Sequence, residues 1–270
     1  MNEKTKERIA FDVETSRILQ ILASEIYDSP KAFLRENVQN AYDAILMRST
    51  AQASSVTEHK VQIAVQPSRI VVQDDGIGMT EDVLRNNFWK AGSSGKKSEL
   101  AQRSGVIGTF GIGAMANFGV CTSLRVETRH IDSDVTLIST ARREDLRIAQ
   151  NCIDLERVSE SHGPGTIISA DLDPSFPVDA ASVCEYLKQY VRFLPVPVLV
   201  NGELISQQAF ENAFTERASG FTTYSSRAVS HGNFAGTLQT SINPQGRVLV
   251  RLTSISLSGN ALAGEALFIQ

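Results

Sequence analysis

The chain has 270 residues, 42% hydrophobic and 21% charged, with material for one large globular domain or one and a half; its net charge of −4 and dispersed Lys and Arg leave no basic footprint, so nucleic acid is not expected as a partner. Three widely spaced cysteines, Cys121, Cys152 and Cys184, form no CxxC pair, which argues against an ordinary zinc site or a disulfide framework and points to core thiols in a reducing compartment. No stretch approaches the roughly 18 apolar residues of a membrane span, and the charged start MNEKTKER leads into no signal-length apolar run, so no membrane contact and a cytoplasmic location are expected.

In chain order, residues 8–13 suit a short strand, and residues 13–27 carry Ile18, Leu19, Leu22 and Ile26 at helical spacing. Ser29 and Pro30 supply an N-cap and a first-turn proline for a helix over residues 29–45. Its stripe of Phe33, Leu34, Val38, Ala41 and Ile45 predicts a buried face, while Glu36, Asn40 and Asp43, at i, i+4 and i+7, share the other side. Alone, this reads equally as an acidic face in water or as a polar row turned into a cleft. Residues 60–65 and 70–73 predict a hairpin around Gln66-Pro67-Ser68-Arg69, and Thr80 predicts the cap of a helix running to about residue 90.

Residues 92–106 are small, polar and glycine-rich, as in a surface loop or a lid over a nucleotide. A short helix through Phe118 is followed by predicted strands over residues 124–128, 135–141, 146–155 and 166–172, then by an amphipathic helix over 178–193 and a two-residue hairpin at Asn201-Gly202. From about Gln207 the texture turns to Ser, Thr, Gly and Asn with strands over 236–242 and 247–257, so a domain boundary is placed there. The chain ends after the strand-like ALFIQ, without a polar tail or capping element.

Three glycine motifs carry the chemistry. In Asp74-Asp75-Gly76-Ile77-Gly78-Met79 a carboxylate at a strand end, able to accept an exocyclic amine, is followed by glycines that permit a tight turn and close approach of a flat ligand; a plain Asp-Gly turn is the bland alternative. Residues 105–114, GVIGTFGIGA, place glycines before a helix, where free N–H groups and the positive helix end can hold phosphate oxygens. No GK[ST] follows, and the motif does not open a βαβ unit with an acidic residue about twenty positions on, so the dinucleotide fingerprint fits poorly. Gly163-Pro164-Gly165-Thr166 leads into an apolar strand, with a hydroxyl that could reach a base or a bridging water.

The ordered set E-x3-N-x2-DA, DxGxG, GxFGxG and GxGT resembles the ATP-binding domain shared by gyrase, heat-shock protein 90, histidine kinases and MutL. FLRENVQNAYDAI, DDGIGMTEDVLRNNFWKAGSSG and IGTFGIGAMANFGV are most similar to the bacterial, HtpG-like heat-shock protein 90 chaperones, over about residues 11–201. The resemblance implies an α/β two-layer sandwich of helices on a mixed, mainly antiparallel sheet, the Bergerat ATP-binding fold, in residues 1–206 with a lid at about 92–107. Residues 207–270 would then begin a second α/β domain, middle or transducer-like and truncated.

By matching position, it further implies that Glu36 orients and deprotonates the attacking water, Asn40 holds Mg²⁺, and Asp43 and Ala44 line the nucleotide. Asp74 would accept the adenine amine, with Gly78, Met79 and Thr166 around the base and Asn87 nearer the sugar and α-phosphate. Gly108, Thr109, Phe110, Gly111, Ile112 and Gly113 would cradle the β- and γ-phosphates, with Ser93, Ser94 and Ala114 beside the nucleotide. Ser93 stands where the chaperones usually have lysine, Ala114 where they have an aromatic, and the lid is several residues shorter. A basic residue from the following domain completes the family's site; Arg217, Arg227, Arg247 and Arg251 are available, none of them alignable.

The expected activity is Mg²⁺-dependent ATP hydrolysis driving a clamp-like cycle, with ATP and ADP as ligands, a homodimer in the full-length protein and protein clients. A MutL- or topoisomerase-like DNA-processing clamp, a histidine-kinase module and a defence ATPase on the same fold are the alternatives.

Overall fold

The computed structural model describes residues 31–90, 117–147, 150–159, 162–208, 220–231, 234–246, 248–255 and 261–268. The chain divides into two compact units, Met1–Gln208 and Ala209–Gln270.

The first unit is built around a helix, α1 (Ala32–Gln52), whose sequence holds no Gly or Pro to interrupt it. Phe33, Leu34, Val38, Ala41 and Ile45 are all buried, as their spacing predicts, and each of the four larger side chains taken fully from water contributes about 1.5–3 kcal/mol. The helix runs past its expected end at residue 45 and stops where Ala53 turns left-handed, φ 51°, with its N–H on the Ser49 carbonyl. The expected cap at Ser29 and Pro30 lies outside the described residues; Lys31 stands in the N-cap position without a side-chain cap.

Two strands, β1 (Val61–Gln66) and β2 (Arg69–Asp74), close the predicted hairpin, with Gln66 opposite Arg69 across Pro67 and Ser68. Thr80 caps the next helix as expected, its Oγ accepting from the Val83 N–H, but the α-turn Glu81–Val83 widens at once into a π-turn, Leu84–Phe88. The wider turn sends the Trp89 N–H to the Leu84 carbonyl, buries Leu84, and aims the Trp89 indole N–H at the Ser139 hydroxyl, 3.0 Å away.

Strands β3 (Cys121–Arg129), β4 (Val135–Arg142), β5 (Asp154–Ser159) and β6 (Gly165–Leu172) follow, then helix α2 (Ala180–Val191), β7 (Val198–Val200) and β8 (Glu203–Leu204). The strand expected over 146–155 lies later, at β5; both of its faces are polar or half-exposed, so no period-2 signal marked it. Asp179 caps α2, accepting from the Ser182 N–H at 2.9 Å. Asn201 and Gly202, φ 47° and 86°, make the expected two-residue turn between β7 and β8.

The eight strands form one sheet in the order β5-β4-β3-β6-β2-β1-β7-β8, antiparallel throughout except where β1 runs parallel to β7. Alternation shows which face is covered: Val61, Ile63, Ile70, Val72, Leu124, Val126, Ile168 and Ala170 are buried, with α1 lying against β1, β2 and β6 and α2 against β1 and β7, while their neighbours in sequence are mostly exposed or half-buried. A bulge between Cys121 and Ser123 shifts the phase of β3, so that Cys121 and Leu124 both reach the core.

The described residues of the second unit form a four-stranded antiparallel meander, β9 (Thr222–His231), β10 (Phe234–Ile242), β11 (Val248–Ile255) and β12 (Ala261–Phe268). The helices expected of an α/β domain do not fall among them.

Candidate functional site

The inward phase of three adjacent strands ends in polar groups. Asp74 continues Ile70 and Val72 on β2, Thr166 precedes Ile168 and Ala170 on β6, and Thr128 follows Leu124 and Val126 on β3. Register puts Asp74 opposite Thr166 and Thr166 opposite Thr128, so the three stand side by side at one end of the covered face, 8%, 6% and 0% exposed. A carboxylate belongs there only if something compensates its burial. Burial drives the Asp74 carboxyl up to about 7; the N–H groups of Gly76 and Thr166 and the charge of Arg48 pull against that rise, and neighbouring Asp75 adds to it. The Gly76 N–H donates to Asp74 Oδ1 at 2.8 Å.

The loop after Asp74 is docked onto α1. A Cβ on Gly76 would lie 2.6 Å from the Ala44 Cβ, so a glycine facing a small helical residue lets loop and helix touch. Gly78 adopts φ +70°, and a side chain there would run into the Arg129 carbonyl oxygen. The loop backbone is tied at several points: the Ile77 N–H donates to the Ala44 carbonyl at 3.0 Å, the Met79 N–H to Thr128 Oγ1 at 2.9 Å, and the Ile131 N–H to the Ile77 carbonyl at 3.0 Å. Arg48 Nη1 donates to the Asp75 carbonyl at 2.7 Å, and the Lys60 N–H to Asp75 Oδ1 at 2.8 Å. The two glycines therefore serve contact between the loop and the rest of the protein, a role that their sequence pattern does not specify.

Along α1, Glu36 and Asn40 are half-buried and Asp43 is buried. At 1.5 Å per residue the row from Glu36 to Ala44 spans about 12 Å, ending where the Asp74 loop docks. Glu36 is paired with the guanidinium of Arg35, Nη2 to Oε1 3.2 Å. Asn37 Nδ2 donates to Asn117 Oδ1 at 2.7 Å, both residues buried, which joins α1 to the chain just after the GTFGIGA motif. Asn87 is half-buried on the π-turn.

Of the residues expected at the site, Ala44, Asp74, Gly78, Met79 and Thr166 come together through these contacts, with Asp43 beside Ala44. Ser93, Ser94, Gly108, Thr109, Phe110, Gly111, Ile112, Gly113 and Ala114 lie outside the described residues. Two further residues that the motifs do not mark join this arrangement. Thr128 accepts from Met79, donates to the Gly165 carbonyl at 3.1 Å and lies 3.0 Å from the Thr166 hydroxyl; a threonine in the inward phase of an otherwise apolar strand was its one signal. Arg48 continues the i+4 row Glu36, Asn40, Ala44, and it lies beyond the expected helix end at residue 45, so its place in that row shows only in the full length of α1.

Helices on one face of a mainly antiparallel sheet, with a buried carboxylate at a strand end beside a glycine loop docked on the helix that carries Glu36, Asn40 and Asp43, define a Bergerat-type domain. Residues 27–163 match the family described as histidine kinase-, DNA gyrase B- and HSP90-like ATPase, and the chain belongs to that family.

Among similar proteins, the chaperone protein HtpG of Shouchella clausii is 31% identical over 197 residues, covering 68% of this chain and 30% of its own length. A mitochondrial TNF receptor-associated protein 1 homolog of Dictyostelium discoideum is 28% identical over 219 residues, 74% of this chain and 30% of its own. The HtpG of Streptomyces coelicolor is 28% identical over 218 residues, 72% and 33%. The chain thus spans about a third of the length of these relatives.

Proposed function

We propose that this chain binds ATP with Mg²⁺ and hydrolyses it, as the nucleotide-driven part of a dimeric, chaperone-type clamp that acts on protein clients in the cytoplasm. Family membership and the chaperone names of the similar proteins support the reading. The observation that carries it is the docking of the Asp74 loop on Ala44, which joins a buried acceptor for an exocyclic amine to the helix bearing Glu36 and Asn40. Among the described residues no helix is long and apolar enough to cross a membrane.

In this reading the adenine amine donates to the ionised Asp74 carboxylate, with Gly78, Met79 and Thr166 around the base and Asp43, Ala44 and Asn87 along the nucleotide. Residues 108–113 cradle the phosphates with backbone N–H groups, flanked by Ser93, Ser94 and Ala114. Glu36 takes the proton of the attacking water as the phosphate bond breaks.

Mg²⁺ suits the donor chemistry: Asn40, half-buried, offers one hard amide oxygen on the helix face of Glu36. Asn40 would hold the ion, which when bound would neutralise phosphate charge. Glu36→Ala is expected to retain ATP affinity in calorimetry and lose turnover in a phosphate-release assay. Wild-type turnover in that variant would overturn the assignment.

A further inference from the structure

We infer that Tyr190, on α2, is a positioning residue for Glu36, acting through Arg35; the inference rests on the proposed role of Glu36 as base. Glu36 sits near the start of α1, where its carboxylate could adopt several rotamers, and a base must be held within hydrogen-bond reach of its water. Arg35 supplies the hold, its Nη2 3.2 Å from Glu36 Oε1. An ion pair between adjacent, partly exposed side chains is weakly ordered when nothing fixes the cation.

Here something does. The Arg35 Cζ lies over the Tyr190 ring, 5.5 Å from its centroid, and Tyr190 is braced by Tyr186, one helical turn back, at 5.3 Å between centroids. Burial tends to lower the Arg35 pKa, yet the Glu36 carboxylate and the Tyr190 hydroxyl together raise it above its ordinary value. Burial, and then the hydrogen bond to Tyr190, push the Tyr186 hydroxyl up to about 12, so the brace stays uncharged.

The same helix is pinned to α1 a second time, where Lys31 Nζ donates to the Ser182 carbonyl at 3.3 Å. Tyr190 also stands just before the segment that receives the end of the first unit: the Gln208 N–H donates to the Arg192 carbonyl at 2.8 Å and the Gln207 N–H to the Leu194 carbonyl at 3.1 Å.

The test compares Tyr190→Leu, which removes the ring, with Tyr190→Phe, which keeps it, in the whole 270-residue chain. Three quantities are read: ATP affinity by calorimetry, the single-turnover hydrolysis rate, and the Arg35 Nε–Hε resonance, which needs no turnover. Tyr190→Leu should slow hydrolysis about tenfold, within the range that small misplacements cause, leave affinity unchanged and abolish the ring-current shift of Arg35. Tyr190→Phe should restore the rate and the shift. A Tyr190→Leu protein with wild-type rate, an unmoved Arg35 resonance, a Phe variant as slow as the Leu variant, or a matching fall in affinity would each overturn the inference. Glu36→Gln separates the two readings: if it turns over at the wild-type rate, or the wild-type chain hydrolyses nothing, the base assignment falls, and the Arg35 resonance still decides whether Tyr190 orders that side chain.

Discussion

Replacing Asp74 by Asn should stabilise the empty protein while destroying its ligand site. Burial raises the carboxyl from its ordinary 3.8 to about 7, roughly three units, and at 1.36 kcal/mol per unit the ionised group costs the fold about 4 kcal/mol at pH 8. The sign follows from which state binds the proton: below pH 4 both states are protonated and there is no cost. Between pH 4 and 7 the unfolded chain releases its proton first, so stability falls as pH rises; above 7 the loss is complete. Asn keeps an acceptor for the Gly76 N–H but adds a donor, and an unmet buried donor costs about 1–3 kcal/mol.

The net expectation is that Asp74→Asn is about 1–3 kcal/mol more stable than wild type at pH 8, with the advantage shrinking by about 2–3 kcal/mol at pH 5. Urea unfolding followed by the fluorescence of the single tryptophan, Trp89, whose indole is bonded to Ser139, measures this directly. In calorimetry the same variant should no longer bind ATP, because the charge-assisted acceptor for the amine is gone. A stability difference that stays flat with pH would refute the desolvated carboxyl, and unchanged ATP affinity would refute its role.

Nucleotide affinity should itself depend on pH: if only ionised Asp74 accepts the amine, the apparent Kd at pH 6 rises about tenfold over that at pH 8, and a pH-independent Kd would contradict this. Gly76→Ala forces a Cβ against Ala44 and should lower stability by about 1–3 kcal/mol, with Gly78→Ala worse because it adds a left-handed backbone; thermal melts rank the two. Thr128→Val strands the Met79 N–H and the Gly165 carbonyl at about 1–3 kcal/mol each, whereas Thr128→Ser keeps both bonds and should lose only about 1 kcal/mol. Equal unfolding midpoints for the Val and Ser variants would remove Thr128 from the site.

What could be read from sequence was whatever local periodicity and turn chemistry specify. Helical spacing placed Glu36, Asn40 and Asp43 on one side of α1 and Phe33, Val38 and Ile45 in the core; Asn201-Gly202 and Pro67-Ser68 marked their hairpins; and the order of the four motifs pointed to the family. What could not be read depends on partners distant in the chain. Thr128 joins the candidate site only because β3 and β6 bring it beside Thr166 in that register, and Gly76 faces Ala44 only because the loop lands on that turn of α1. The shift of β5 to Asp154–Ser159 and the π-turn at Leu84–Phe88 follow likewise from strand pairing and from the seat of Trp89 on Ser139. The proton affinity of Asp74 is the plainest case: a sequence shows that a carboxylate is present, but burial and the charges around it, which only packing creates, decide whether it is charged.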